Sequence, residues 1–137
     1  MRVKTNKAMK RLYPWLIMRN VWNDEVIDSD DDTIELDLMP KGWRYAFGDE
    51  MCEEIDKVLR KANYQNDYRI LEIKEKYGSL RWYTNSIPEK IFKEHDKIIQ
   101  KYEKVSEHTC IICGENGKMT NHGWLMPLCK DCEDELY

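Results

Sequence analysis

No stretch of this chain approaches the ~20 consecutive apolar residues that a membrane-spanning helix requires, so no membrane role is expected. The segment from Met1 to Arg11 is basic, but it lacks the continuous apolar run and the small-residue cleavage site of a secretory signal. A cytoplasmic location is the expectation. The sequence also lacks a glycine-rich phosphate loop, a nucleophile-elbow pentapeptide and an H-E-x-x-H pair. With those absent, no catalytic constellation stands out, and the chain is not expected to be an enzyme. Internal repeats and low-complexity tracts are missing too.

What is there describes a small globular protein. The 137 residues suffice for one compact core with a small appendage. At 42% apolar, with five Trp, eight Tyr and seven Met, the chain has enough bulky material to fill that core. The net charge of −4 hides an asymmetry: residues 1–22 carry six Lys/Arg and no acid, and residues 23–38 carry eight Asp/Glu and no base. An acidic protein is not steered to nucleic acid by its overall field, although a local basic arm can still meet phosphates.

Periodicity gives the elements. Arg2 to Trp22 reads as a short basic helix followed, after Pro14, by an extended apolar segment docked on the body. Asn23 to Asp32 is an acidic loop. Over 33–38, Ile34, Leu36 and Leu38 alternate with Thr33, Glu35 and Asp37, the pattern of a half-buried strand. After the Pro40–Gly42 turn, Trp43, Phe47, Met51, Ile55, Val58, Leu59 and Ala62 recur at helical spacing. Gly48 weakens this run, and Asp49 is the expected N-cap of its main part. Two strands over 68–84 flank Tyr77–Gly78, a turn that sets Ile73 opposite Trp82 and Lys74 opposite Arg81. That like-charged pair requires an acid nearby, and Glu72 is the candidate. Ser86 and Glu89 have capping-box spacing. The helix they open carries Ile91, Ile98, Tyr102 and Val105 on one face, supported by Phe92 and Ile99, and ends near His108. His95 lies on that apolar side as a core histidine, and Cys52 reads as a small core residue. The fold class is α+β: a small antiparallel sheet (the hairpin over 68–84 with strand 33–38) on two helices, followed by a C-terminal ribbon. The expected division is a body over 1–107 and a ribbon over 108–137.

The strongest signal is C-x2-C-x15-C-x2-C, formed by Cys110, Cys113, Cys129 and Cys132. Zinc prefers a tetrahedron of soft thiolates, and a C-x-x-C turn puts two sulfurs on one side of a tight knuckle. Two knuckles joined by a short hairpin complete the sphere, which predicts one structural Zn2+. Gly114 lets the chain turn so that backbone N–H groups face the sulfurs. The second knuckle has no such glycine. A redox role fits less well, because a redox C-x-x-C is a single pair in a βαβ setting. A catalytic zinc keeps an open position, and four cysteines leave none. His108 and His122 are not needed as ligands, and Trp124 is positioned in sequence to cover the knuckles. The string "MPLCKDC" looks like the second knuckle of HNH nucleases, but fifteen intervening residues with one His cannot hold the catalytic unit of those domains.

Three stretches, "KGW" before the helix, "IKEKYGSLRWY" and "CIICGENGKMTNHGWLMPLCKDC", resemble in this order a group of small bacterial and bacteriophage or prophage proteins of uncharacterised function. The resemblance covers roughly residues 42–134 and supports the four cysteines as zinc ligands. It implies no activity. A phage-type setting implies a non-enzymatic protein that binds a partner protein, for instance an inhibitor of host or antiviral-defence machinery. The acidic segment Asp24 to Asp37 would then imitate phosphates, although a solvated loop and a strand also account for it. A nucleic-acid-binding zinc-ribbon module is the alternative, and the acidic tail from Asp131 to Glu135 argues against it.

Overall fold

The computed structural model describes residues 3–27 and 32–137. Part of the acidic loop, residues 28–31, therefore lies outside the described residues. Helix α1 (Asn6–Leu12) starts at Thr5, whose Oγ accepts the Ala8 N–H at 3.2 Å. Pro14 then opens a 3-10 turn over Pro14–Leu16, and the expected extended segment begins only at Ile17, which bridges Ile34. That turn buries Trp15 and Leu16 against the body, and the Trp15 indole donates to Asp56 at 3.0 Å. The basic arm is thus docked by an aromatic anchor.

The strand expected over 33–38 does not form. Glu35–Leu38 is a 3-10 helix, and only an isolated bridge joins Ile34 to Ile17. The cause is local: the Asp37 carboxylate accepts the Ile34 N–H at 2.8 Å, curling the chain back on itself. Ile34 and Leu36 are buried, but Leu38 is exposed, so the apolar alternation does not mark one face.

One helical turn, α2 (Lys41–Trp43), runs through a π-helical segment, Arg44–Gly48, into α3 (Asp49–Lys61). Asp49 is therefore not an N-cap. It has helical dihedrals, and its carboxylate accepts the Lys4 N–H at 2.7 Å. The π segment inserts an extra residue into a turn and brings Gly48 close to Leu36. Helix α3 buries Met51, Cys52, Ile55, Val58 and Leu59.

Strands β1 (Ile70–Lys76) and β2 (Ser79–Thr84) pair antiparallel with Ile73 opposite Trp82 and Lys74 opposite Arg81. Tyr77 (φ 54°) and Gly78 (φ 81°) are both left-handed, the requirement of a type I′ turn. Glu72 sits 2.9 Å from Lys74 and offsets the repulsion from Arg81. Helix α4 (Glu89–Ser106) packs on α3 and β2. Its capping box is not made: Pro88 occupies the N-cap without a side-chain cap, and Ser86 lies too far upstream, its carbonyl taken by the Tyr64 hydroxyl. Ile91, Ile98, Ile99 and Tyr102 are buried as expected, whereas Phe92 and Val105 face solvent. His95 is buried and bonded to the Tyr68 hydroxyl at 2.7 Å. Burial lowers its pKa to about 4 and so keeps the ring neutral.

The ribbon adds β3 (Lys118–Asn121) and β4 (Leu125–Leu128), an antiparallel pair, and α5 (Lys130–Leu136). The fold is α+β, with two separate two-stranded sheets. The Gly42 N–H donates to the Ile111 carbonyl at 2.9 Å, and the Trp43 indole donates to the Thr109 carbonyl at 3.0 Å. Gly78 of the body meets Met119 of the ribbon. Among the described residues, no helix is long and apolar enough to cross a membrane.

Candidate metal centre

Cys110 follows directly on the turn that ends α4. Its N–H donates to the Glu115 carbonyl at 2.7 Å, and the Gly114 N–H returns to the Cys110 carbonyl at 3.0 Å. Gly114 makes this closure possible with φ +87°, a conformation that a side chain would strain. The first knuckle is thus a closed loop that projects Cys110 and Cys113 together.

The second half is built differently, which explains its missing glycine. Cys129 follows β4 and serves as the N-cap of α5, its sulfur accepting the Cys132 N–H at 3.4 Å. A helix start replaces a glycine turn, and its free N–H groups favour the negative charge of a thiolate.

The four sulfurs of Cys110, Cys113, Cys129 and Cys132 all lie within 4.8 Å of one another. Cys113 Sγ and Cys129 Sγ are 3.6 Å apart. A zinc ion with Zn–S bonds of about 2.3 Å separates its tetrahedral sulfurs by about 3.8 Å, so the donor set fits such an ion. A disulfide needs about 2.05 Å, and all five cysteines are free thiols. The cluster could hold one metal ion.

The thiols differ in acid–base character. Burial opposes ionisation of Cys110, but hydrogen bonds from the backbone of Cys129, Cys113 and Ile112 outweigh it and bring the thiol down to about 6. The backbone of Glu115 favours the Cys113 thiolate, yet burial and the neighbouring thiols Cys129 and Cys110 raise its pKa overall. Hydrogen bonding with Cys129, then burial, raises Cys132 as well. Four sulfurs so close cannot all carry charge unless a cation sits among them.

No histidine joins the cluster. His108 is exposed. His122 bonds Glu133 at 2.9 Å and stacks on Tyr137 with ring centroids 3.8 Å apart, pinning the end of α5. Trp124, expected over the knuckles, is instead 67% exposed at the β3–β4 tip. There it lines a cleft of about 420 Å³ with Tyr77, Leu125, Glu75 and Lys76. Sequence reading missed this pairing of tips. Its signal was an aromatic residue beside a turn glycine in each hairpin, Tyr77–Gly78 and Gly123–Trp124.

Among the described residues of the acidic segment, three acids form ion pairs within the chain. Asp24 pairs with Arg69 at 2.7 Å, Asp32 with Lys10 at 3.2 Å and Asp37 with Arg44 at 2.6 Å. Glu35 is buried, and that burial, offset in part by a backbone hydrogen bond from Arg19, raises its pKa to about 7.

No family model matches the chain, and neither a curated protein nor a solved structure is similar enough to count as a match.

Proposed function

We propose that the cysteine cluster holds one Zn2+ in a structural role, and that the chain works without catalysis by binding a partner protein. The observation that carries the first half is the donor set. Four converging thiolates saturate a tetrahedral ion and leave no position for water or substrate. The metal then supplies folding energy to a segment with little core of its own, since Cys110, Pro127 and Leu128 are its only deeply buried apolar residues.

Support for the second half comes from the cleft between the hairpin tips. Tyr77 and Trp124 are 70% and 67% exposed there, and such aromatic pairs are typical anchors of protein interfaces. The ion would hold one wall of this cleft in place. Within Asp24 to Asp37, the residues Asp24, Asp32 and Asp37 face cations of the same chain and so are less free to imitate phosphates. A phage-type inhibitor of host or defence machinery remains the setting that the sequence resemblance favours.

Elemental analysis of protein purified without added metal should give about one zinc per chain. A folded protein with four free thiols and under a third of an equivalent would overturn the structural-zinc reading. Capture from a bacterial lysate, run beside Tyr77→Ala and Trp124→Ala, should retain a protein that both variants lose. Nucleic-acid binding that falls steeply with salt would favour the nucleic-acid module instead.

A further inference from the structure

The four sulfur-bearing residues of the cluster do not meet solvent equally. Cys110 is fully buried, with its carbonyl packed against Gly42 of α2. Cys129 and Cys132 are half-buried, and Cys113 is exposed. A metal-bound cysteine is a thiolate whatever its setting, so ionisation does not rank the four. Susceptibility to an oxidant follows thiolate character and access, and access singles out Cys113. The fifth cysteine, Cys52, is fully buried in α3 and out of reach.

A sulfur oxidised at Cys113 has a resolving partner across the cluster. Cys129 Sγ lies 3.6 Å away, against a disulfide length of about 2.05 Å. The two cysteines belong to different halves of the ribbon, 16 positions apart. Cys129 Sγ is also the acceptor of the Cys132 N–H at the start of α5.

Building on the structural-zinc reading, we propose that Cys113 is an oxidation site: a peroxide reacts there, and a Cys113–Cys129 disulfide forms that displaces the ion. The Cys113 thiolate attacks one peroxide oxygen, the O–O bond breaks and hydroxide departs, leaving a sulfenic acid on Cys113. The Cys129 thiolate then attacks the Cys113 sulfur and expels a second hydroxide. The two thiolates give up two electrons in all. One peroxide becomes two hydroxides, which solvent protonates to water. The new bond withdraws two of the four ligands and the cap of α5 together. It also ties the first knuckle to the β4–α5 junction. That restrains the metal-free ribbon in a way that a bond within one C-x-x-C turn cannot, because the closed loop is far longer. A thiol reductant reverses the change by exchange.

The full-length protein is first assayed for zinc, then treated with one equivalent of hydrogen peroxide beside a chromogenic chelator. Zinc should appear in step with one disulfide per chain. Peptide mapping without reduction should place that disulfide between Cys113 and Cys129. A sulfenic-acid trap added early should label Cys113, and a thiol reductant with added zinc should restore the starting protein. Cys113→His keeps four ligands without the oxidation site, and should release zinc roughly tenfold more slowly than the parent. Cys132→His should release it as the parent does. If either variant fails to load zinc, the parent's disulfide map and trapping decide alone. A main disulfide within one C-x-x-C pair, a trap on another cysteine, zinc retained through the oxidation, or release from Cys113→His as fast as from the parent would each overturn the proposal. A folded parent without zinc, seen before peroxide is added, would overturn the structural-zinc reading and the proposal with it.

Discussion

Gly42→Ala tests how the cysteine-bearing ribbon is held to the body. Gly42 has no positive φ, so backbone strain does not enter. A Cβ there would lie 2.1 Å from the Cys110 carbonyl oxygen and 2.6 and 2.7 Å from the Ile111 carbonyl carbon and oxygen. All are backbone atoms and cannot rotate away. Ordinary carbon contacts are about 3.5 Å, so α2 and the first knuckle must separate by roughly 1–1.5 Å. That breaks the bond from the Gly42 N–H to Ile111 and stretches the one from the Trp43 indole to Thr109. Each contributes about 1 kcal/mol, with a further ~1–3 kcal/mol where a buried polar group is left unpaired. Alanine returns about 1 kcal/mol of helix propensity. The net expectation is destabilisation by about 2–4 kcal/mol, by urea denaturation of the zinc-loaded protein, with faster zinc release to a chromogenic chelator. Gly123→Ala is the control. Its φ of +92° carries strain, but nothing lies within 4 Å of its Cβ. It should cost about 1–2 kcal/mol through the backbone alone and leave zinc release unchanged. If Gly42→Ala proves no more harmful than Gly123→Ala, the docking contact is not what holds the ribbon.

Three other outcomes are expected. Cys110→Ser should speed hydrogen exchange from about Thr109 onward and leave the rest protected, because the main apolar cluster is drawn from residues 9–102. Uniformly fast exchange would show the ribbon to be integral to one core, and an unchanged pattern would show that the cysteines hold no metal. Gly78→Val should lower stability by more than about 1 kcal/mol, given its φ of +81°, and a neutral denaturation midpoint would refute the turn's role. Glu35 holds its proton to about pH 7 in the folded chain against 4.5 in the unfolded one. Below pH 4.5 the two states bind it alike. As pH rises from 4.5 to 7 only the unfolded chain ionises, so stability falls. Glu35→Gln should therefore match the parent near pH 4 and exceed it by about 1–3 kcal/mol at pH 8. A difference that does not change with pH would contradict the burial of Glu35.

The parts that were legible in the sequence are those where local chemistry decides. The C-x2-C spacing brings four sulfurs together, and Tyr77–Gly78 sets the register of Ile73 against Trp82. Errors arose where a nonlocal or side-chain bond outweighed a periodic pattern. Asp37 turned an alternating stretch into a 3-10 helix. Asp49 looked like a helix start because Gly48 looked like a break, yet the helix passes through both with a π turn. Ser86 and Glu89 have the right spacing for a capping box, but Pro88 fixes the helix start two residues too late for it. The Tyr77–Trp124 cleft joins residues 47 positions apart, a separation that no local pattern encodes.

Because Cys129 is both a member of the sulfur cluster and the N-cap of α5, the candidate metal centre and helix α5 share one atom. A seven-residue helix does not persist alone in water, so α5 depends on that sulfur remaining a hydrogen-bond acceptor. Oxidising or alkylating Cys129 would remove the acceptor and a ligand in one step. The unwinding helix would withdraw Glu133 and Tyr137 from His122, freeing the ring they hold at the base of the β3–β4 turn. A change at one sulfur would thus be felt at His122, two residues from Trp124.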